Sequence, residues 1–333
     1  MGREVALSAR MLALVHMVTA GNRVCDVGCD HGFVSIYLVQ QGISPRVLAM
    51  DVRQGPLSRA REHIRQQGLE AYIETRLSDG VSALGAGEAD TVICAGMGGR
   101  LMQRILEEGR EKLETVRELI LQPQSDIPAF RAYLWQAGYV LLAEDMVYED
   151  GKYYPMMKVT AGKRRPPGTE EPGPESSPGS HLDGGNRERQ KPGEGSEAAG
   201  VSWKREAERP AQAGRGVSPD GEARCISTEA GDGQALQDRF GELLLAGSHP
   251  VLRQYLLYEQ QGNRRILEQL QQNAAGSRAA RRIRELEEEQ RLIGLALKQM
   301  ELPEHCGTKT ERGSEDEDRS IGAGEGISPG NHL

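Results

Sequence analysis

Five short apolar runs alternate with segments of helical period across the first 140 residues, and that alternation restricts the fold more than any other feature. The runs predict strands at about Arg23–Val27, Arg46–Val52, Tyr72–Arg76, Thr91–Ala95 and Glu118–Leu121. Between and around them, apolar spacing predicts helices over residues 5–18, from Phe33 to Val39, Pro56–Gln67, Arg100–Glu108 and Ile127–Gln136. The second run is almost wholly apolar, as a strand covered on both faces must be. Such alternation requires a parallel sheet with right-handed crossovers and helices on both sides. Two further runs, Tyr139–Tyr148 and Lys152–Val159, are joined by Glu149-Asp150-Gly151 and read as a β-hairpin.

The turns leaving the strands carry the chemistry. Val24-Cys25-Asp26-Val27-Gly28-Cys29-Asp30-His31-Gly32 is a strand that breaks into a glycine turn and opens a helix. Gly28 lets a ligand approach backbone where a side chain would clash, and the helix start offers free N–H groups to an anion. A dinucleotide site would want G-x-G-x-x-G, whereas only Gly28 and Gly32 are present, so the spacing suits S-adenosylmethionine better than NAD. Asp51 ends the second strand, where a carboxylate can accept both ribose hydroxyls of an adenosyl group, with Val52 beside it; the competing reading is a solvated loop acid. Asp79 in Ser78-Asp79-Gly80 either holds the adenine amino group or belongs to an ordinary turn. Asp26 is assigned the amino-acid end of the cofactor, because a buried carboxylate without a partner is expensive. Five strand–helix units and a terminal hairpin match an α/β, Rossmann-like class I methyltransferase sheet, in which the last strand inserts antiparallel and ligands lie beyond the carboxyl ends of the strands.

Methyl transfer from a sulfonium requires alignment and exclusion of water more than acid–base chemistry. The Gly96-Met97-Gly98-Gly99 loop has no Asp or Asn to orient an acceptor, so the backbone at Gly96 and Met97 and neighbouring side chains take that task. Asp30 is the candidate for contacting the acceptor's exocyclic amine; it is equally placed to cap its helix, and position alone favours the cap. His31 caps or touches cofactor, with no proton-transfer role. Cys25, Cys29 and His31 lack the spacing of a zinc knuckle, and no metal is expected.

Composition divides the rest of the chain. Hydrophobic residues make up 38% and aromatics 4%, low for 333 residues of packed core. In residues 161–235, Gly and Pro supply 22 of 75 positions, and this insertion is expected to be disordered. Residues 236–300 return to helical period. One helix is predicted from near Pro250 to about Asn273, with Leu252, Leu256, Ile266 and Leu270 on a seam interrupted by Glu259 and Asn263. The second carries Ala279, Ile283, Leu286, Gln290, Ile293, Leu297 and Met300 in steps of four and three, so an antiparallel coiled-coil hairpin is expected. Net charge is −8 overall, yet this segment alone is basic, at +2, with Arg264 and Arg265 and Arg278, Arg281, Arg282 and Arg284 clustered on its two helices. Residues 301–333 form an acidic tail, also expected to be disordered. No apolar run reaches a membrane span, no secretory signal is read, and five scattered cysteines form no disulfide framework; a reduced, cytoplasmic protein is expected.

Several motifs coincide in order: Asp26-Val27-Gly28-Cys29-Asp30-His31, Gly55-Pro56-Leu57, Ala95-Gly96-Met97-Gly98-Gly99, Leu119-Ile120-Leu121-Gln122-Pro123 and Glu149-Asp150-Gly151-Lys152. Together they resemble the bacterial TrmK-type tRNA (adenine-N1)-methyltransferases, strongly over about 5–160 and loosely over 236–300. The resemblance implies methylation of the adenine at tRNA position 22 with S-adenosylmethionine, and a C-terminal helical domain that helps hold tRNA. It implies acceptor contacts at Gln122, Pro123 and Gln124, where the family's third residue is Asn. Tyr153 and Tyr148 become stacking surfaces for an extruded base, and the hairpin arginines phosphate contacts. The competing readings are a methyltransferase of protein or small molecules, and a non-catalytic binding module with a coiled coil. An NAD dehydrogenase is weaker for want of the third glycine.

Overall fold

The structure is a computed structural model that describes residues 5–161, 231–273 and 276–301; the predicted insertion and acidic tail lie, but for a few residues at their edges, outside the described residues. One seven-stranded sheet organises the first part, in the order β3-β2-β1-β4-β5-β7-β6. Its strands are β1 (Val24–Val27), β2 (Val47–Asp51), β3 (Ile73–Leu77), β4 (Thr91–Met97), β5 (Glu118–Pro123), β6 (Tyr139–Glu149) and β7 (Lys152–Ala161). The first five pair in parallel, while β7 runs antiparallel between β5 and β6, as the sequence predicts. Strand β3 sits one residue later than expected and β5 extends two residues further, to Pro123.

Alternation along each strand sends side chains into two cores. Cys25, Val27, Cys94 and Leu121 join α4 (Gly99–Glu108) and α6 (Ile127–Gln136) on one face. Val24, Ala49, Ile93 and Ile120 pack on the other face against α1 (Ala9–His16), α2 (Phe33–Gln40) and α3 (Gln54–Gln67). Ser8 accepts the Met11 N–H at 3.4 Å and starts α1. Helix α4 approaches the β5 exit so closely that a Cβ on Gly99 would stand 2.7 Å from the Ser125 carbonyl oxygen. A four-residue helix, α5 (Arg110–Leu113), was too short to show a period.

The C-terminal part contains four helices rather than two. Before α9 (Pro250–Asn273) and α10 (Ser277–Glu301) come α7 (Asp232–Phe240) and α8 (Glu242–Ala246), so helical structure begins inside the range assigned to the insertion. Helices α9 and α10 pack on one another, and Gln290 Nε2 donates to the Gln260 carbonyl at 2.7 Å. The expected seam needs correcting at its edges. Ile266 is 41% exposed, whereas Leu292 and Ala296 are buried beside Ile293 and Met300. The reason is that α10 packs on α7 and α8 as well as on α9, which widens its apolar face.

These helices dock on the edge strand β6. Met146 belongs to their core with Phe240, Leu252 and Ile293. Beside it, fully buried Glu144 accepts Arg131 Nε at 3.1 Å and the Leu243 N–H at 3.0 Å, while Arg131 Nη1 donates to the Arg239 carbonyl at 3.1 Å. Asp145 Oδ1 lies 3.1 Å from Nε2 of buried His249. Each charge removed from water here is met by an ion pair or a hydrogen bond.

Candidate cofactor and acceptor site

A cleft of about 530 Å³ opens over the carboxyl ends of β1, β2 and β4, lined among others by Asp26, Gly28, Asp51, Asp79 and Gly96. The parallel register places Asp26 and Asp51 on neighbouring strands, and the β1 exit is pinned because Gly28 N and Cys29 N both donate to the Met50 carbonyl, at 2.8 and 2.9 Å. Gly28 has φ +77°, which strains any L side chain, and a Cβ there would have to push the flexible Met97 methyl aside, so this position favours glycine.

Asp26 is buried and accepts the Ser35 hydroxyl at 2.7 Å. Burial pushes its pKa up to about 6; the Ser35 hydrogen bond opposes this and the nearby Asp51 carboxylate adds to it. A cationic ligand group beside Asp26 would relieve that cost. Asp51 is also buried, and one of its oxygens accepts the Arg53 N–H at 2.8 Å, fixing the carboxylate at the strand end. Val52 projects exposed at the rim. Asp79 reaches outward and pairs with Arg104 at 3.2 Å, while Ser78 closes its turn by donating to the Gly80 carbonyl at 2.9 Å.

The expectation that Asp30 caps α2 does not hold. The cap is Gly32, without a side-chain hydrogen bond, because the chain passes through left-handed conformations at Gly28, Asp30 and Gly32 before the helix begins. The Asp30 side chain is 59% exposed at the cleft mouth, 3.7 Å from Arg59 and 3.6 Å from His31. His31 stacks on Phe33 with ring centroids 5.6 Å apart, and Phe33 on His63 at 4.9 Å.

At the other wall, β4 loses register with β5 between Ala95 and Met97, which frees the loop. Gln122 is wholly buried behind it, its Oε1 accepting Gly96 N at 3.2 Å and Arg10 Nη1 at 3.0 Å, so this side chain supports the loop from within. Pro123 is buried too, whereas Gln124 is exposed, its N–H donating to the Met97 carbonyl at 2.8 Å. Arg10 itself was not singled out in the sequence. It lies in line with Leu7 and Leu14 on the inward face of α1, and that apolar spacing was the available signal. Its buried Nε makes no hydrogen bond among the described residues but faces the Glu149 carboxylate at 3.7 Å, and its guanidinium sits 5.0 Å over the Tyr154 ring at the cleft wall.

Tyr153 stands in a neighbouring cleft of about 600 Å³ between the β6–β7 turn and α9, and Gln124 lines both. Arg264, Arg265, Arg281 and Arg282 are exposed near the far turn of the helical hairpin, so the structure does not bring them to the cofactor cleft. Arg281 and Arg282 both pair with Glu285. Among the described residues no group of three His, Cys, Asp or Glu side chains is arranged to hold a metal. Cys25, Cys29 and Cys94 are free and buried, and burial raises all three thiols, Cys94 to about 12. No helix among the described residues is long and apolar enough to cross a membrane.

Sheet order, antiparallel last strand and acid-lined cleft together define a Rossmann-like methyltransferase domain. A family model described as "Methyltransferase domain" matches residues 7–157. The tRNA (adenine(22)-N(1))-methyltransferase of Bacillus subtilis is 34% identical over 161 residues, which cover 48% of this chain and 68% of that protein. The chain belongs to the tRNA (adenine(22)-N(1))-methyltransferase family. Among solved structures, a Streptococcus pneumoniae protein in complex with S-adenosyl-L-methionine superposes with a TM-score of 0.59 at 25% identity, covering 88% of this chain and all of that one. The fold is also that of the B. subtilis m1A22 tRNA methyltransferase TrmK, with a TM-score of 0.61, 23% identity and the same coverage.

Proposed function

We propose that this protein transfers a methyl group from S-adenosyl-L-methionine to N1 of adenine at position 22 of tRNA. The observation that carries this reading is the pair of buried carboxylates, Asp26 and Asp51, at adjacent strand ends of one cleft beside the Gly28 turn. When bound, the cofactor supplies an electrophilic methyl on a sulfonium. Asp26 holds the ammonium of its amino-acid end, and Arg10, which lines the same cleft, meets the carboxylate of that end. Asp51 accepts the ribose hydroxyls, with Gly28, His31 and Val52 completing the enclosure. Asp79 and Gly80 border the adenine.

The acceptor adenine enters between Asp30 and the loop at Gly96 and Met97. Its N1 is already a nucleophile, so the protein's task is alignment and exclusion of water. Gln122 fixes the loop, and Gln124 and Pro123 shape the entrance. Residues 1–160 serve as the catalytic domain, and the helical module of 236–300 lays Arg264, Arg265, Arg281 and Arg282 along tRNA phosphates. This substrate places the reaction in the cytoplasm. Incubating the purified chain with S-adenosyl-L-methionine and a tRNA transcript, then mapping 1-methyladenosine, is expected to show modification at position 22. Methylation confined to a protein or metabolite acceptor would overturn the reading.

A further inference from the structure

The cleft beside the cofactor site is built from tyrosines that folding alone does not explain. Tyr148 and Tyr153 are register partners across β6 and β7, with ring centroids 4.7 Å apart. From α9, Tyr255 meets Tyr153 edge-on at 5.1 Å, and Tyr258 lies 6.2 Å from it at a tilt of 44°. Tyr255 belongs to the helical core, but Tyr258 is 65% exposed and Tyr148 is 47% exposed. Tyr258 lines a 600 Å³ cleft with its ring largely in water, so it presents a π face to a ligand rather than to the protein, while Tyr148 packs on Tyr153 outside that lining. Lys152 is exposed in the same lining and has no ion pair among the described residues, whereas Arg239 on the opposite wall is tied to Glu289. Exposed aromatic faces beside an uncommitted cation suit an unpaired nucleobase and its phosphate.

Continuity says which nucleobase. Gln124 lines this cleft and the cofactor cleft alike, and its backbone is bonded to Met97 of the acceptor loop. The two clefts therefore meet at Gln124, and a strand that delivers a base to Gly96 runs on into the tyrosine cleft. Extruding an adenine also strips its strand neighbour of a stacking partner, and that exposed face needs a replacement. We propose that the tyrosine cleft binds a second tRNA nucleoside, the strand neighbour of the methylated adenine, stacking it on Tyr258 with Lys152 on the intervening phosphate. The proposal rests on the tRNA reading above and adds a subsite to it. Since α9 supplies Tyr255 and Tyr258, the helical module then helps hold the substrate strand beside the reaction site.

The test uses the full chain and reads tRNA binding without methyl transfer. Tyr258→Ala is expected to raise the Kd for tRNA roughly 5- to 150-fold, with Tyr258→Phe within about twofold of wild type on the same stacking argument. Cofactor affinity and melting temperature should be unchanged in both. A tRNA made abasic at the bound neighbour should lose the same factor with wild-type protein and nothing further with Tyr258→Ala. Unchanged tRNA affinity in Tyr258→Ala, or losses that multiply independently for abasic sites on both sides of the adenine, would overturn the subsite. A wild-type protein that binds tRNA yet forms no 1-methyladenosine would remove the proposed reaction instead, while the coupling still decides the cleft.

Discussion

Asp26 shows how one residue can be costly to the fold and useful to the site. Its pKa is about 6 in the folded protein against an ordinary 3.8, so the folded state holds its proton more tightly than the unfolded one. The sign follows: the penalty is absent below 3.8, grows as pH rises, and is fully present above about 6. Asp26→Asn should therefore raise unfolding stability at pH 7 by on the order of 1–3 kcal/mol, measured by urea titration. The same substitution should lower cofactor affinity at least tenfold by calorimetry, on the order of 1.4 kcal/mol or more for a missing charge pair. In the wild type, cofactor affinity should fall up to about tenfold per pH unit below pH 6, as Asp26 takes up its proton. Asp26 was legible in the sequence because an acid inside an apolar strand, just before a glycine turn, has few structural reasons to be there. Arg10 was not, because an arginine on a helix ordinarily reads as solvent-facing until its spacing is set against Leu7 and Leu14.

At the scale of elements, the sheet was readable because buried parallel strands are written as apolar runs between glycine turns. The helical module was readable only in its long members. Helix α8, at five residues, falls below the length at which period declares itself, α7 begins inside the Gly- and Pro-rich range read as insertion, and the burial of Leu292 and Ala296 depends on partners that local spacing does not reveal. Nor did sequence predict that Glu144 and Asp145, consecutive acids in a strand, would both be buried as anchors for these helices. The Arg131–Glu144 pair gives a clear expectation. Glu144→Gln leaves a buried guanidinium short of its counter-charge and should cost about 3–5 kcal/mol in urea unfolding. Replacing both partners, as Arg131→Met with Glu144→Leu, should recover only part of that loss, because the Leu243 N–H and the Arg239 carbonyl lose their partners as well. Wild-type stability in the single variant would show that the pair does not hold the module.

For the whole molecule, net charge misleads. A chain at −8 still has a basic segment at +2, with its exposed arginines near the hairpin turn. Replacing Arg264, Arg265, Arg281 and Arg282 by Gln should weaken tRNA binding and flatten its salt dependence, by about 0.7–0.9 in log–log slope for each phosphate no longer neutralised. Cofactor affinity should not move. An unaltered salt slope would take RNA binding away from the hairpin.

The antiparallel insertion of β7 has one more consequence. Because Lys152 begins that strand at the rim bearing both clefts, Ala161 ends it beyond the amino end of β5, on the far side of the sheet. The connection to the helices thus departs from the edge where no chemistry is done. The strand ends that line the clefts are therefore set by other segments of the chain than the one that leads to the helices.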